Sequence, residues 1–364
     1  MEKYRYKLNN TTIIGNDSPT ALNVLIGANN EKQYLYELRK LQILDNSQLP
    51  ISIVTDLSLH KRPGKELWRN IINNTRFIAG SVPVYQAVDV DKTISSKNLL
   101  NIIYDQVNCG VKLITIHPTP NYQLLKMSKG RLVPITSRGG AAVAMDMLIK
   151  QSTKNIYEQN LDEIIEMAKT YDVILSIGSS FRSANLKDAF DQTYIMELEK
   201  QIKIADYCKS SGVNVIIETP GHAAPQDVFS ICNRLNLCCP YPIMPLGPMP
   251  TDCAFEQDDV AGSIGAVLMG TRGCADILSV VTREEHTGGI PSIESTVSAI
   301  KKYVVAKHII DIYKLNDIKE DNNIAENRSK NHSCILGIDE KCSRCGALCP
   351  LDLGTALKDS LNDY

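Results

Sequence analysis

Residues 213–222 read Val-Asn-Val-Ile-Ile-Glu-Thr-Pro-Gly-His. Val213–Ile217 is a short β-branched apolar run, the composition of a buried strand. It stops at a carboxylate, a Pro-Gly turn and a histidine. The same construction recurs at Lys112–Ile116, which runs into His117, and at Ile277–Val281, which runs into Thr-Arg-Glu-Glu-His286. Leu22–Ile26, Ile51–Thr55, Ser81–Tyr85, Val173–Ile177 and Ile243–Leu246 complete a set of eight. Most start-to-start spacings are about 30–40 residues, room for one helix and two loops. Helical apolar spacing fills several gaps, at Asn98–Val107, Leu161–Ala168 and Tyr194–Cys208. Eight βα units predict an α/β fold, a (β/α)8 barrel, with an open doubly wound sheet as the alternative that strand counting leaves.

The fourth gap is about twice as long as the others. It holds Pro118, Pro120, Pro134 and Ser137-Arg138-Gly139-Gly140, and reads as a long loop on the C-terminal side of a strand, where barrels carry chemistry. Residues 316–333 are polar and charged without apolar periodicity and read as a linker. The expected organisation is a barrel over 1–315 with a short lead-in, the linker over 316–333, and a cysteine-rich tail over 334–364.

The chain has 364 residues with 43 % hydrophobic and 22 % charged residues, enough to bury a large core. A net charge of −2 gives no basic surplus for nucleic acid or an anionic membrane, and 6 % aromatic residues offer little base-stacking surface. The longest apolar stretch, 261–281, contains Arg272, Asp276 and four glycines, which argue against a helix or a membrane span there. The N-terminal MEKYRYKLNN lacks the apolar core of a secretory signal. Eleven cysteines in such a chain read as thiols or metal ligands, so a cytoplasmic location is expected.

The densest chemical signal is Cys342-Ser-Arg-Cys345-Gly-Ala-Leu-Cys349-Pro350. Three thiols on a turn supplied by Gly346, without a near fourth, suit a [4Fe–4S] cluster with one iron left open for S-adenosylmethionine. A zinc site recruiting His332 or Cys334 and three unligated thiols are the competing readings. His222 and His286, after the sixth and eighth strands, would face one barrel mouth and could share a divalent metal. Two separate structural histidines are the alternative. His117 ends the fourth strand. Arg138 offers a planar fork for phosphate, while Gly139 and Gly140 would let the backbone approach a ligand. Asp56 and Glu218 end strands and suit ribose hydroxyls or acid–base work, or else cap a helix or pair with a cation.

In order along the chain, VPVYQA (82–87), LITIHP (113–118), TSRGG (136–140), IETPGH (217–222), PLGPMPTD (245–252) followed by GSIGA (262–266), ADILSVVTREEH (275–286) and CSRCGALC (342–349) resemble the phosphomethylpyrimidine synthase family of thiamine biosynthesis. The resemblance runs from about residue 22 to residue 349. It implies a (β/α)8 barrel with a small C-terminal iron–sulfur segment. It also implies a homodimer in which that segment caps the partner's barrel. The implied activity is a radical S-adenosylmethionine lyase that rearranges 5-aminoimidazole ribotide to 4-amino-5-hydroxymethyl-2-methylpyrimidine phosphate. The implied cofactors are a [4Fe–4S] cluster on Cys342, Cys345 and Cys349, S-adenosylmethionine, and a divalent metal, zinc or iron, on His222 and His286. An external electron donor such as flavodoxin or ferredoxin is implied as partner, with no nucleic acid and no membrane. Tyr85, His117, Ser137, Arg138, Gly139, Arg182 and Glu218 match substrate-contacting positions, Glu218 also as a catalytic group.

Several positions depart from the family pattern. Three residues instead of four separate Cys345 from Cys349. Ser179 stands where a carboxylate is expected, Leu25 where an amide is, and Met244 where a tyrosine is. The metal and cluster positions are thus kept better than the substrate positions. That contrast raises two alternatives. One is an enzyme like those converting the same ribotide to 5-hydroxybenzimidazole for a cobamide lower ligand. The other is a non-catalytic metal- and nucleotide-binding paralogue.

Overall fold

The structure is a computed structural model, and it describes residues 3–335 and 342–361. Residues 336–341 and 362–364 of the cysteine-rich tail lie outside the described residues. The chain divides into two units, Met1–Lys314 and Leu315–Tyr364.

The first unit opens with an antiparallel hairpin, β1 (Arg5–Lys7) and β2 (Ile13–Gly15). Eight parallel strands follow: β3 (Ala21–Ile26), β4 (Ile53–Asp56), β5 (Ile78–Ser81), β6 (Leu113–Ile116), β7 (Ile174–Ile177), β8 (Val215–Glu218), β9 (Ile243–Met244) and β10 (Ile277–Val280). They pair in chain order, and β10 returns to pair with β3. The remaining seam, β9 to β10, is short because Pro242 and Pro245 flank the two residues of β9 and supply no N–H. Asp276 bridges it. Its N–H donates to the Ile243 carbonyl at 2.8 Å, and its Oδ2 accepts from the Ile243 N–H at 2.9 Å. Lys314 holds the other carboxylate oxygen at 2.6 Å. The sheet is therefore a nearly closed (β/α)8 barrel.

Inward side chains stack in layers. The lowest is apolar: Ala21, Ile53, Ile78, Leu113, Ile174, Ile216 and Ile277 pack with Tyr6, Leu8 and Ile14 of the hairpin, which plugs the bottom. Two residues further along the strands the interior turns polar, with Asn23, Thr55, Thr115, Ser176, Glu218 and Ser279 all buried. That change from aliphatic to polar filling marks the functional end.

Several local expectations change. The third strand is Ile78–Ser81, earlier than the Ser81–Tyr85 run, and Val84–Ala87 is a helical turn. Pro83 sits at φ −55°, ψ −35°, which starts that turn and ends the strand. Gly80 obscured the strand in the sequence; it is there because a Cβ would collide with the Thr55 side chain of β4. The glycines of 261–281 do not prevent a helix, which runs Asp258–Gly270. Gly262 and Gly265 lie against the Tyr303 hydroxyl and the Pro248 carbonyl, contacts that leave no room for a Cβ. The long fourth gap is not one loop but a set of helices, Tyr122–Ser128, Arg138–Ile149, Ile156–Gln159 and Leu161–Thr170.

In the second unit, the segment read as a linker contains an exposed helix, Lys319–Lys330. It has Glu320 and Asp321 in its first turn and Arg328 and Lys330 in its last, the arrangement that suits a helix dipole without an apolar face. A 3-10 turn, Gly346–Leu348, leads into the helix Pro350–Leu361, with Pro350 at its first position. Among the described residues no helix is long and apolar enough to cross a membrane.

Candidate active site

Two small cavities occupy the C-terminal mouth of the barrel. The inner one, about 90 Å³, is lined by Thr115, His117, Tyr85, Ser137, Arg182 and Glu218 with Asn23, Leu25, Met244, Leu246 and Ser279. The outer one, about 150 Å³, is lined by His222, His286 and Glu285 with Arg182, Leu25, Leu246 and Ser279. The last four residues line both, so the cavities adjoin.

Glu218 ends β8 and is buried. Its Oε1 accepts hydrogen bonds from Thr115 Oγ1 and Ser176 Oγ, both at 2.9 Å. Burial raises its pKa; Arg182 and the two hydroxyls pull it down. His117 follows β6 directly. Burial, helped by the positive charge of Arg182, pushes its pKa down to about 3, so the ring is neutral. Its Nδ1 is buried without a hydrogen-bond partner and lies close to Gly139. Tyr85 is stacked under the Arg138 guanidinium, 4.4 Å from ring centroid to Cζ. Burial raises the phenol's pKa against Arg138 and Arg182.

Ser137 and Arg138 are not in a glycine turn. Ser137 is the N-cap of Arg138–Ile149, its Oγ accepting the Gly140 N–H at 2.9 Å. A Cβ on Gly139 would overlap the His117 imidazole, and one on Gly140 would overlap Ser180. These glycines seat the helix against the site rather than admit a ligand. Ser137, at the helix N-terminus, lines the inner cavity, while the exposed Arg138 lies over Tyr85, which also lines it. Asp56 is structural: its carboxylate accepts the Ser58 and Trp68 N–H groups at 2.8 and 3.0 Å and caps the helix Leu67–Asn74.

The structure brings His222 and His286 together, with Nε2 to Nε2 at 3.2 Å. His222 is clamped by its backbone: its N–H donates to Ser183 O at 2.9 Å, and Ala223 N–H donates to Met249 O at 3.1 Å. His222 Nδ1 lies 2.7 Å from Asp252 and His286 Nδ1 lies 2.8 Å from Asp258. Each carboxylate accepts a hydrogen bond from the Nδ1–H, which leaves both Nε2 atoms as acceptors aimed at one another. Two lone pairs at 3.2 Å repel unless a cation or proton lies between them, so the pair suits a shared metal ion. Burial holds His222 below the ordinary histidine value against the opposing pull of Asp252. Among the described residues no group of three or more His, Cys, Asp or Glu side chains is gathered to hold a metal. The mouth thus offers two ligands.

In the tail, Cys342, Cys345 and Cys349 are free, as are all the described cysteines. Gly346, at φ +54°, supplies the turn between them. His332 Nδ1 pairs with Asp352 at 3.1 Å. As a donor set the three thiols suit an iron–sulfur cluster, although they are not drawn to metal-binding distance of one another.

Sequence reasoning missed Asp252, Asp258 and Glu197. Glu197 lies on the helix Gln192–Ser210, wholly buried beneath the loop that follows β7. A signal for it exists: Glu197 and Gln201 share the buried stripe of Tyr194, Leu198, Ala205 and Cys208. A carboxylate on an apolar stripe needs donors, and those donors are on the site loop.

Comparison with known proteins gives one family. The model of the radical SAM ThiC family matches residues 1–334, ending before Cys342. Phosphomethylpyrimidine synthase of Thermodesulfovibrio yellowstonii is 31 % identical, over 93 % of this chain and 86 % of its own. The enzyme of the same name from Sulfurisphaera tokodaii is 32 % identical, over 86 % and 74 %. That of Campylobacter jejuni strain 81116 is 32 % identical, over 83 % and 71 %.

Proposed function

The chain belongs to the radical SAM ThiC family, and on that premise we propose that it rearranges a phosphorylated aminoimidazole ribotide, with 5-aminoimidazole ribotide as the leading substrate and the thiamine pyrimidine phosphate as product. The family is of radical S-adenosylmethionine type, which implies a [4Fe–4S] cluster and S-adenosylmethionine. The observation that carries the reading is the pair of adjoining cavities, one lined by Ser137, His117, Arg182 and Glu218 and one presenting two convergent imidazoles.

Cys342, Cys345 and Cys349 would hold the cluster, which with S-adenosylmethionine supplies the 5′-deoxyadenosyl radical chemistry. An external donor such as flavodoxin or ferredoxin would provide the electron. The chain's own residues bind and orient. Ser137, Arg138 and the Gly139 N–H receive the phosphate at the helix N-terminus. Arg182 and the neutral His117 meet the ribose and base. Glu218, poised by burial, takes or returns a proton on the ligand's amino or hydroxyl groups. Tyr85 closes the inner wall. His222 and His286 would hold zinc or iron and leave its other positions to water, cofactor or substrate. A lyase acting as a homodimer in the cytoplasm completes the proposal.

One observation favours a second reading, a changed substrate or product on the same initiating chemistry. Leu25 and Met244, where an amide and a phenol are expected, both line the inner cavity. Asn23 Nδ2 reaches only Met244 Sδ at 3.7 Å and Ser279 Oγ at 3.4 Å on that side. Losing a hydrogen bond to a charged group costs about 1.5–3 kcal/mol, and losing a neutral one costs about 1. The expected outcome is poor turnover of 5-aminoimidazole ribotide relative to a full-motif enzyme. Anaerobic reconstitution with mass spectrometry for 5′-deoxyadenosine, with and without the ribotide, tests the first reading; absence of the nucleoside in both arms defeats it. Restored growth of a pyrimidine-requiring thiamine auxotroph at ordinary expression would rule out the second.

A further inference from the structure

Glu197 is fully buried, yet each of its oxygens is satisfied by one backbone N–H and one hydroxyl. Oε1 accepts from Ser180 N–H and Thr119 Oγ1, both at 2.6 Å. Oε2 accepts from Phe181 N–H at 2.8 Å and Ser179 Oγ at 2.7 Å. The donors come from two places only: the segment after β6, two residues past His117, and the turn after β7, immediately before Arg182.

That turn is a hub. Arg182 Nη1 donates back to the Ser179 carbonyl at 2.7 Å, which fixes the guanidinium relative to the turn. Thr136 N–H donates to Ser180 O at 3.2 Å, and Thr136 Oγ1 donates to Arg182 O at 2.5 Å. Gly140 packs on the Ser180 side chain, seating the helix that begins at Arg138. Ser183 O accepts the His222 N–H at 2.9 Å. Every loop that brings a side chain to the inner cavity from β6 or β7, and the start of the Ser137-capped helix, therefore touches a turn whose two N–H groups converge on one carboxylate.

Burying a carboxylate is costly, and an aliphatic side chain would fill the same volume more cheaply. What the ion uniquely provides is an acceptor-only group with two oxygens, the complement of four converging donors. We propose that Glu197 is a positioning residue for the site: it holds the turn 179–181 so that Arg182, His117 and the Arg138 helix start are set for a phosphorylated ligand. The inference rests on the proposed ribotide reading for its ligand but not for its geometry.

Glu197→Gln keeps the shape, but its amide nitrogen must face one of the two backbone N–H groups, whichever way it is turned. Amide hydrogen exchange, ribotide affinity and metal affinity are measured on the full chain. Exchange over residues 178–184 is expected to rise at least about tenfold in E197Q, with the hairpin over 5–15 unchanged. Affinity for 5-aminoimidazole ribotide is expected to fall at least about tenfold, while metal affinity at His222 and His286, whose rings Asp252 and Asp258 hold apart from the turn, falls by a clearly smaller factor, the behaviour of a local and not a global change. Thr119→Val and Ser179→Ala keep the carboxylate and remove one donor each; both should show a smaller rise confined to the same segment, and they carry the test if E197Q does not fold. Unchanged exchange over 178–184, a rise shared equally by the hairpin, or equal loss of ribotide and metal binding would each overturn the proposal. If the unaltered protein does not bind the ribotide, the functional reading fails, and the exchange pattern alone decides the role of Glu197.

Discussion

The outer and inner cavities of the mouth treat the same side chain in opposite ways. His222 and His286 each have a carboxylate on Nδ1, at 2.7 and 2.8 Å. His117 is buried among glycine backbone with no carboxylate partner and with Arg182 as its charged neighbour. The first pair is oriented so that two Nε2 lone pairs converge on one point, an arrangement suited to a cation. The third ring is kept neutral. Strand-end position alone does not set a histidine's role; the second group on the ring does.

The largest expected effect breaks the outer half. Replacing His222 or His286 by Ala removes one of two converging imidazoles and leaves the other aimed at nothing. Bound metal, measured by elemental analysis and titration, should weaken by more than about 100-fold. Iron in the tail and exchange around His117 should not change. Equal loss of tail iron would show that the proposed metal site of the mouth is not separate from the tail.

A smaller effect sharpens the comparison within the outer cavity. Asp258 is buried, and its two oxygens serve His286, one at Nδ1 and one at the backbone N–H. Asp252 is half-exposed and divides itself between His222 and the Leu186 N–H at 2.9 Å. Removing such a supporting carboxylate costs about 10–100-fold in metal affinity. Asp258→Asn should fall toward the upper end and Asp252→Asn toward the lower. The reverse order would mean that the link from Asp252 to the loop over 183–188 matters more than burial.

Much of this arrangement was legible in the sequence, for a physical reason. Strand ends of a barrel share one mouth, so His117, Glu218, His222 and His286 could be assigned to one place from their positions after apolar runs. Seven of the eight runs correspond to barrel strands; the third, Ser81–Tyr85, shares only Ser81 with the strand Ile78–Ser81, because Gly80 carries no β-branched signal and Pro83 starts a helical turn. The glycines were harder. Those at 139, 140, 262 and 265 serve close packing between elements distant in sequence, which no local pattern reports. Glu197 was hidden because its donors sit on another element, 16 to 18 residues away at the turn and 78 away at Thr119. The Ser179 hydroxyl likewise turns to Glu197 and not into the cavity, which only coordinates reveal.

The smallest expected effect tests the inner half through its pH dependence. His117 has a folded pKa of about 3, against 6.5 for an ordinary histidine. Between those values the unfolded chain binds a proton that the folded chain refuses, so protonation favours unfolding. The contribution to stability is complete above pH 6.5 and is lost progressively as the pH falls toward 3. Glu218 acts with the opposite sign. Its raised pKa makes the folded chain bind more protons than the unfolded one, so its share of stability is present below the ordinary carboxyl range and is lost as the pH rises through the folded value. The two must therefore be separated by substitution. His117→Gln removes the imidazole titration and leaves Glu218 in place. At pH 5.5 the imidazole's penalty on the unaltered chain is about 1.4 kcal/mol, about tenfold in the folding equilibrium. Whatever the packing cost of glutamine at neutral pH, the stability gap between the two proteins should move in favour of H117Q by that amount between pH 7.5 and 5.5. Denaturant titration at both values measures it. A gap that stays constant would mean that His117 takes a proton as readily when folded as when free, that a carboxylate or water reaches its ring, and that the inner cavity is electrostatically no different from the outer one.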